Sequence, residues 1–214
     1  MASLLDDLVA LVLPGRCPGC GQPGEPLCPA CQRAVLPPLP APPPPGVDWW
    51  AAPFAYDGVV RELVARAKYH RRHAALTWLG DRMVDTWADA WTDAAGPRLD
   101  LVTWVPAAPA RRRARGIDHA RVLGRTVARG LGVATASLLV RRDGGAQTAR
   151  SLTERRRGPL VVARRPVTGT VLVVDDVATT GATVRVCATT LRDAGATSVV
   201  VLTAARTPPG RLRA

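Results

Sequence analysis

Two groups of residues in this chain have types and spacing suited to chemistry. The first is Cys17-Pro-Gly-Cys20 followed by Cys28-Pro-Ala-Cys31, two Cys-x-x-Cys knuckles separated by seven residues. Four thiolates at this spacing match a tetrahedral zinc site with Cys17, Cys20, Cys28 and Cys31 as ligands. Such a site is closed, so it is structural and keeps no coordination position open for a substrate. Paired disulfides would need an oxidising compartment, and a redox dithiol would not need a second knuckle. The second group is the run from Val171 to Thr183, Val-Leu-Val-Val-Asp-Asp-Val-Ala-Thr-Thr-Gly-Ala-Thr. Two adjacent carboxylates, Asp175 and Asp176, stand at the end of an apolar strand. A loop of small hydroxyl residues and glycine follows them. Backbone N–H groups of such a loop, and of the helix it opens, attract an anion. Thr179, Thr180 and Thr183 add hydroxyl donors, and Gly181 allows a phosphate close to the backbone. Carboxylates just upstream suit a polyol such as ribose, directly or through Mg²⁺. No Gly-Lys-Ser/Thr follows, so this is not a Walker loop.

The elements that must hold these groups read as alternating α and β. Val171–Val174 is a strand buried on both faces, as in a parallel sheet, and Ala182–Ala194 is the helix after the loop, with Gly195 at its C-terminal cap. Upstream, a helix runs from Val59 to Lys68 behind the Asp57-Gly58 turn. Leu76, Leu79, Met83, Trp87 and Trp91 recur at helical spacing on a longer helix, a core stripe. A strand over Leu101–Val105 ends at Pro106. A helix over Ile117–Arg129 is expected to stop at Gly130. A weak strand follows near Leu138–Val140, then an irregular basic stretch to Arg165, the Val171 strand and helix, and a strand over Ser198–Leu202. This alternation implies a parallel sheet flanked by helices, with the site at the strands' C-terminal ends.

Three parts follow from composition. Residues 1–36 form an N-terminal helix (Leu4–Leu13) and the Cys₄ module. Residues 37–46, rich in proline, form a stiff spacer; a boundary between modules is its plainer meaning, an SH3-type ligand the other. Residues 47–214 form the α/β domain. No apolar run is long enough to span a bilayer, and Asp6 and Asp7 stand where a signal peptide needs positive charge, so a cytoplasmic protein is expected. The net charge of +12, almost all arginine, is compatible with nucleic acid, an anionic small substrate, or coding bias. Lys68 is the only lysine.

The Val171–Thr183 run resembles the phosphoribosyl-diphosphate (PRPP) signature of type I phosphoribosyltransferases. That resemblance gives Asp175 and Asp176 the ribose hydroxyls, and Ala178, Thr179, Thr180, Gly181, Ala182 and Thr183 the 5′-phosphate. With the knuckles, Phe54-Ala55-Tyr56-Asp57-Gly58, Ala67-Lys68-Tyr69, Trp104-Val105-Pro106, Arg115-Gly116-Ile117 and the Gln147 and Arg155 region, nearly the whole chain is similar to the ComF family, known from bacterial competence and DNA uptake. The resemblance implies a type I phosphoribosyltransferase fold behind a zinc-ribbon-like module and a PRPP site with Mg²⁺. It implies transfer of the ribosyl group to an acceptor with release of pyrophosphate. It places Val105-Pro106-Ala107-Ala108 in the pyrophosphate loop. Arg111, Arg112, Arg113 and Arg115 follow, either neutralising the leaving group or forming a solvated basic loop. Arg141–Arg157 matches a mobile lid with Gln147, Arg150 and Arg155 as contacts. Lys68 either faces the cleft, as the family's matching lysine implies, or is a solvated helix end. The chain departs from the family at Ile117 and Asp118-His119, where an aromatic and Asn-Gln are usual, and at Arg156-Arg157-Gly158-Pro159, where Arg-x-x-Asn is commoner. His119 is expected to be exposed or capping, and Cys187 a small core residue. The competing function is a nucleic-acid-handling factor, with single-stranded DNA or the uptake machinery as partner. The chain lacks the aromatic interleaving of a single-strand stacking platform.

Overall fold

In a computed structural model, residues 15–69, 73–108, 117–142 and 161–208 are described, with the backbone alone at 68, 69 and 73. The Leu4–Leu13 helix, the arginines 111, 112, 113 and 115, and the lid residues Gln147, Arg150 and Arg155 lie outside them. Among the described residues no helix is long and apolar enough to cross a membrane.

The centre is a parallel sheet. Strand β6 (Thr170–Ala178) lies between β3 (Leu101–Trp104) and β7 (Ser198–Arg206), and β7 also carries β1 (Trp49–Ala51) and β2 (Phe54–Ala55) along its other edge. All of these pairings are parallel. Side chains of a strand alternate between faces, and β6 shows both faces covered. Leu172 and Val174 join one core cluster with Leu63, Leu79, Met83, Leu123 and Val127. Val171 and Val173 join the other, with Val184, Cys187 and Leu191. The first cluster is roofed by helices α2 (Gly58–Tyr69), α3 (His73–Ala90) and α4 (His119–Leu131), the second by α5 (Ala182–Asp193). A strand covered on both sides must be apolar at every position, which is why Val171–Val174 reads as one unbroken run.

Several boundaries differ from those expected. The Val171 strand does not stop at its carboxylates: it continues through Asp175 and Asp176 to Ala178, because β7 is long enough to pair it as far as Arg206. Gly130 lies inside α4, which ends instead at Gly132 in the left-handed conformation (φ 66°). A Cβ on Gly130 would come within 2.6 Å of Val84 Cγ2, so the residue permits close approach of α3 rather than ending a helix. The basic stretch before Arg165 contains strand β5 (Val161–Ala163), which pairs antiparallel with β4 (Leu139–Arg141). Three residues are too few to show alternation. At the end of α5, Gly195 adopts φ 106° and its N–H bonds Arg192 O, as a helix-ending glycine does.

The cysteine knuckles are packed onto this body. Gly21 (φ 75°) closes the first turn, its N–H donating to Cys17 O at 2.9 Å. Cys28 caps the short helix α1 (Pro29–Arg33), which has proline in its first turn. Cys17, Leu27, Cys28 and Cys31 are buried in the same cluster as Phe54, Val60 and Leu63. The proline segment behind them is anchored along its length. Ala55 N–H donates to Leu36 O (2.8 Å), Arg206 to Leu39 O, and Arg192 Nε to Gly46 O (2.8 Å).

Candidate functional site

At the C-terminal ends of β3 and β6 lies a cleft of about 310 Å³. β6 contributes Asp175, Asp176 and Val177 to it, while Thr179 and Thr183 come from the following loop and the first turn of α5. The loop after β3 contributes Val105, Pro106, Ala107 and Ala108. The two strands can deliver these groups to one place because they are neighbours in register, Trp104 opposite Val174. Both carboxylates are half-buried, and both hold the backbone just past them. Asp175 Oδ1 accepts from Asp176 N–H and Asp176 Oδ1 from Val177 N–H, each at 2.8 Å. The carboxylates are thus fixed by the chain they sit on and turned to the mouth of the sheet.

The loop after β6 has two sides. Thr179 and Thr183 face the cleft, whereas Thr180, Gly181 and Ala182 line a second groove on the opposite flank, against the proline segment, with Thr179 shared. Gly181 occupies the left-handed region (φ 71°, ψ 2°) as N-cap of α5 and has no side chain to cap it, and of the first N–H groups that of Ala182 donates to Thr180 Oγ1 at 3.3 Å. The amide end of α5 therefore presents N–H groups that an anion can satisfy. Ala178 is buried under the loop and paired with Arg206.

Three elements bring cleft residues that the sequence singled out weakly or not at all: Tyr56 after β2, Arg141 at the end of β4, and Ile117, Asp118, His119 and Ala120 at the start of α4. Asp118, not His119, is the N-cap, its side chain accepting from Arg121 N–H at 3.2 Å. His119 is neither exposed nor capping. It is buried (5% exposed), with Nε2 3.1 Å from Ala67 O. A carbonyl can only accept, so Nε2 carries the proton and ties the start of α4 to the last turn of α2. Nothing in its local sequence marks it as buried, because the partner is a backbone oxygen 52 residues away. Lys68 lies in that same last turn; its side chain is outside the described residues, as is Arg115. Cys187 is fully buried in α5, and burial, with the Asp175 carboxylate nearby, pushes its thiol up. It stays protonated and serves as a small core residue.

The second candidate centre is the knuckle pair. The four sulfurs of Cys17, Cys20, Cys28 and Cys31 lie within 4.8 Å of one another, three of them on buried residues, and could hold a metal ion. Burial raises the Cys17 thiol, but hydrogen bonds from the backbone of Cys28, Cys20 and Gly19 outweigh it and bring it down to about 6. Its sulfur and burial then push Cys31 up to about 12. A metal offers one resolution of four crowded thiols that cannot all ionise alone.

No family model matches the chain, and no curated protein matches it. Among solved structures it is similar to the allosteric regulatory enzyme of purine biosynthesis (TM-score 0.45, 25% identity, 66% of this chain and 30% of that one). It is similar in the same degree to glutamine phosphoribosylpyrophosphate amidotransferase from B. subtilis complexed with ADP and GMP (TM-score 0.46, 25% identity, 66% and 30%). Adenine phosphoribosyltransferase from Thermoanaerobacter pseudethanolicus is similar over more of its own length (TM-score 0.40, 17% identity, 64% and 82%). The chain spans less than a third of the length of the first two.

Proposed function

We propose that the cleft binds PRPP, or a related phosphoribosyl ligand, together with Mg²⁺, and that the protein is a ComF-type phosphoribosyltransferase. One observation carries this reading. Asp175 and Asp176 line the same cleft as Thr179 and Thr183 and as the Val105–Ala108 loop. A polyol-binding pair, an anion-binding loop and a second backbone loop then surround one space large enough for a sugar phosphate. In the proposed complex Asp175 and Asp176 accept from the ribose 2′ and 3′ hydroxyls. The loop Ala178–Thr183 takes the 5′-phosphate through its cleft-facing side, Val105–Ala107 takes the pyrophosphate, and the family resemblance assigns Arg115 and Lys68 to the same ligand. Mg²⁺, when bound, would offset the charge of the pyrophosphate.

Transfer would break the bond from ribose C1′ to the pyrophosphate oxygen, which leaves with the electron pair. An acceptor nucleophile forms the new C1′ bond with inversion and gives up its proton. The protein's part is to hold the diphosphate and orient C1′, with stabilisation aimed at the departing charge. Zinc on Cys17, Cys20, Cys28 and Cys31 would hold the module within residues 1–36 together; residues 37–46 join it to the domain from 47 onward. The setting proposed is cytoplasmic, with a role in competence and DNA uptake carried only by the family resemblance.

The test is calorimetry of purified protein with PRPP and Mg²⁺, where saturable binding is expected. The second reading, nucleic-acid handling on this scaffold, draws on the +12 charge. It predicts binding of single-stranded DNA whose affinity falls steeply with salt as counterions are released.

A further inference from the structure

On the far flank of the β6–α5 loop lies a groove of about 690 Å³, roofed by the proline segment from Ala41 to Pro45 and distinct from the cleft that holds Asp175 and Asp176. Its walls have a consistent chemistry. Arg185 and Arg206 line it together with the hydroxyl residues Thr180 and Thr207, and no carboxylate does so among the described residues. Arg206 is only 7% exposed, and no described carboxylate is paired with it. Its guanidinium lies 4.9 Å from the centre of the Trp50 ring and donates to Leu39 O. A buried cation without a counter-charge is costly unless something else supplies one. Trp50 Nε1–H and Thr207 Oγ1–H, in groove residues, have no hydrogen-bond partner among the described residues and are turned away from solvent. Indole N–H can only donate. The groove therefore sets two guanidinium side chains and no described carboxylate beside the apolar wall that the prolines and the Trp50 ring supply.

We infer that this groove is a second ligand site, for an organic phosphate carrying a flat apolar group. The phosphate lies toward Arg185 and Thr180, and the flat group lies between the proline roof and Trp50. Thr179 lines both cavities, so a ligand here touches the loop proposed to hold the 5′-phosphate from its other side. The site is of a size typical for small-molecule ligands.

Phenyl phosphate is a suitable probe, because it has the phosphate and the flat body but no ribose diol for the acidic pair. Calorimetry on the full chain should show saturable binding, and inorganic phosphate should bind at least about tenfold more weakly. Arg185 is exposed on α5, so R185E should fold with an unchanged melting temperature while weakening phenyl phosphate at least about tenfold. Thr183 faces only the first cleft, so T183V should leave the affinity as it is, and PRPP with Mg²⁺ should not compete. Absence of saturable binding in the parent, or equal affinity in R185E, would overturn the inference. Loss of binding in T183V, or competition by PRPP, would place the probe in the first cleft and overturn it too. Failure of PRPP to bind at all would count against the proposed function and leave these arms intact.

Discussion

Asp48 shows how much one side chain can hold together. Its Oδ1 lies 2.5 Å from Arg192 on α5, and its Oδ2 accepts from Ser198 Oγ (2.6 Å) and Val199 N–H (2.8 Å) on β7. Burial raises its carboxyl, but Ser198, Val199 N–H and Arg192 outweigh burial and hold it below its ordinary value. A lowered folded pKa means stability that is present above the unfolded value and lost as pH falls through the folded one. The side chain is 46% exposed, so solvent screening reduces the contribution. D48N should therefore cost about 1 kcal/mol at pH 7, and the gap between variant and parent should close below the carboxylate range, as chemical denaturation at several pH values would show. Lys68 belongs to the same scale. Arginine keeps the charge but not the compact ammonium. On the proposed reading K68R weakens PRPP by at least about fivefold, and calorimetry showing equal affinity would return Lys68 to a solvated helix end.

Among the elements, the proline segment and the cysteine module do more than their composition suggests. The segment reads as a spacer because proline dictates extension and nothing about contact. In the fold it is tied to Ala55, Arg206 and Arg192, and it presses on the β6–α5 loop: a Cβ on Gly181 would lie 2.9 Å from Pro44 Cγ. G181A meets both that contact and a left-handed backbone, so it should lower stability by about 1–2 kcal/mol, measured as a shift in denaturation midpoint at constant slope. The knuckles share their core with Phe54, Val60 and Leu63 beside α2. Each chain is expected to hold one zinc by metal analysis. Stripping it with a chelator should unfold residues 14–35 and also lower the melting temperature of the remainder, which would no longer have the module packed against it. What the sequence made legible at this scale was local. The Val171 strand, the α5 helix and the Asp57-Gly58 turn carry their own signals in apolar run, periodicity and turn chemistry. Three features do not. β5 is too short to alternate, Gly130 serves a neighbouring helix, and His119 answers to a carbonyl on α2. Each is decided by contacts distant in the chain.

At the scale of the whole molecule, a doubly covered parallel sheet brings the acidic pair, the hydroxyl loop and the β3 loop to one mouth. The acidic pair was legible because its two neighbours in sequence, strand and loop, are also its neighbours in space. The far groove was not, since its walls come from residues 41–45, 50, 179–182, 185 and 206–208. The central claim is that Asp175 and Asp176 serve ligand binding and not folding, as half-buried carboxylates at a sheet's mouth. The direct measurement is calorimetry of PRPP with Mg²⁺ on the parent and on D175N/D176N, alongside their melting temperatures. The account predicts saturable binding in the parent and a melting temperature almost unchanged in the variant. It also predicts affinity lower by at least about tenfold for each charge-assisted hydrogen bond to the ribose that the substitutions remove. Equal affinity in parent and variant, or no PRPP binding in the parent, would contradict it.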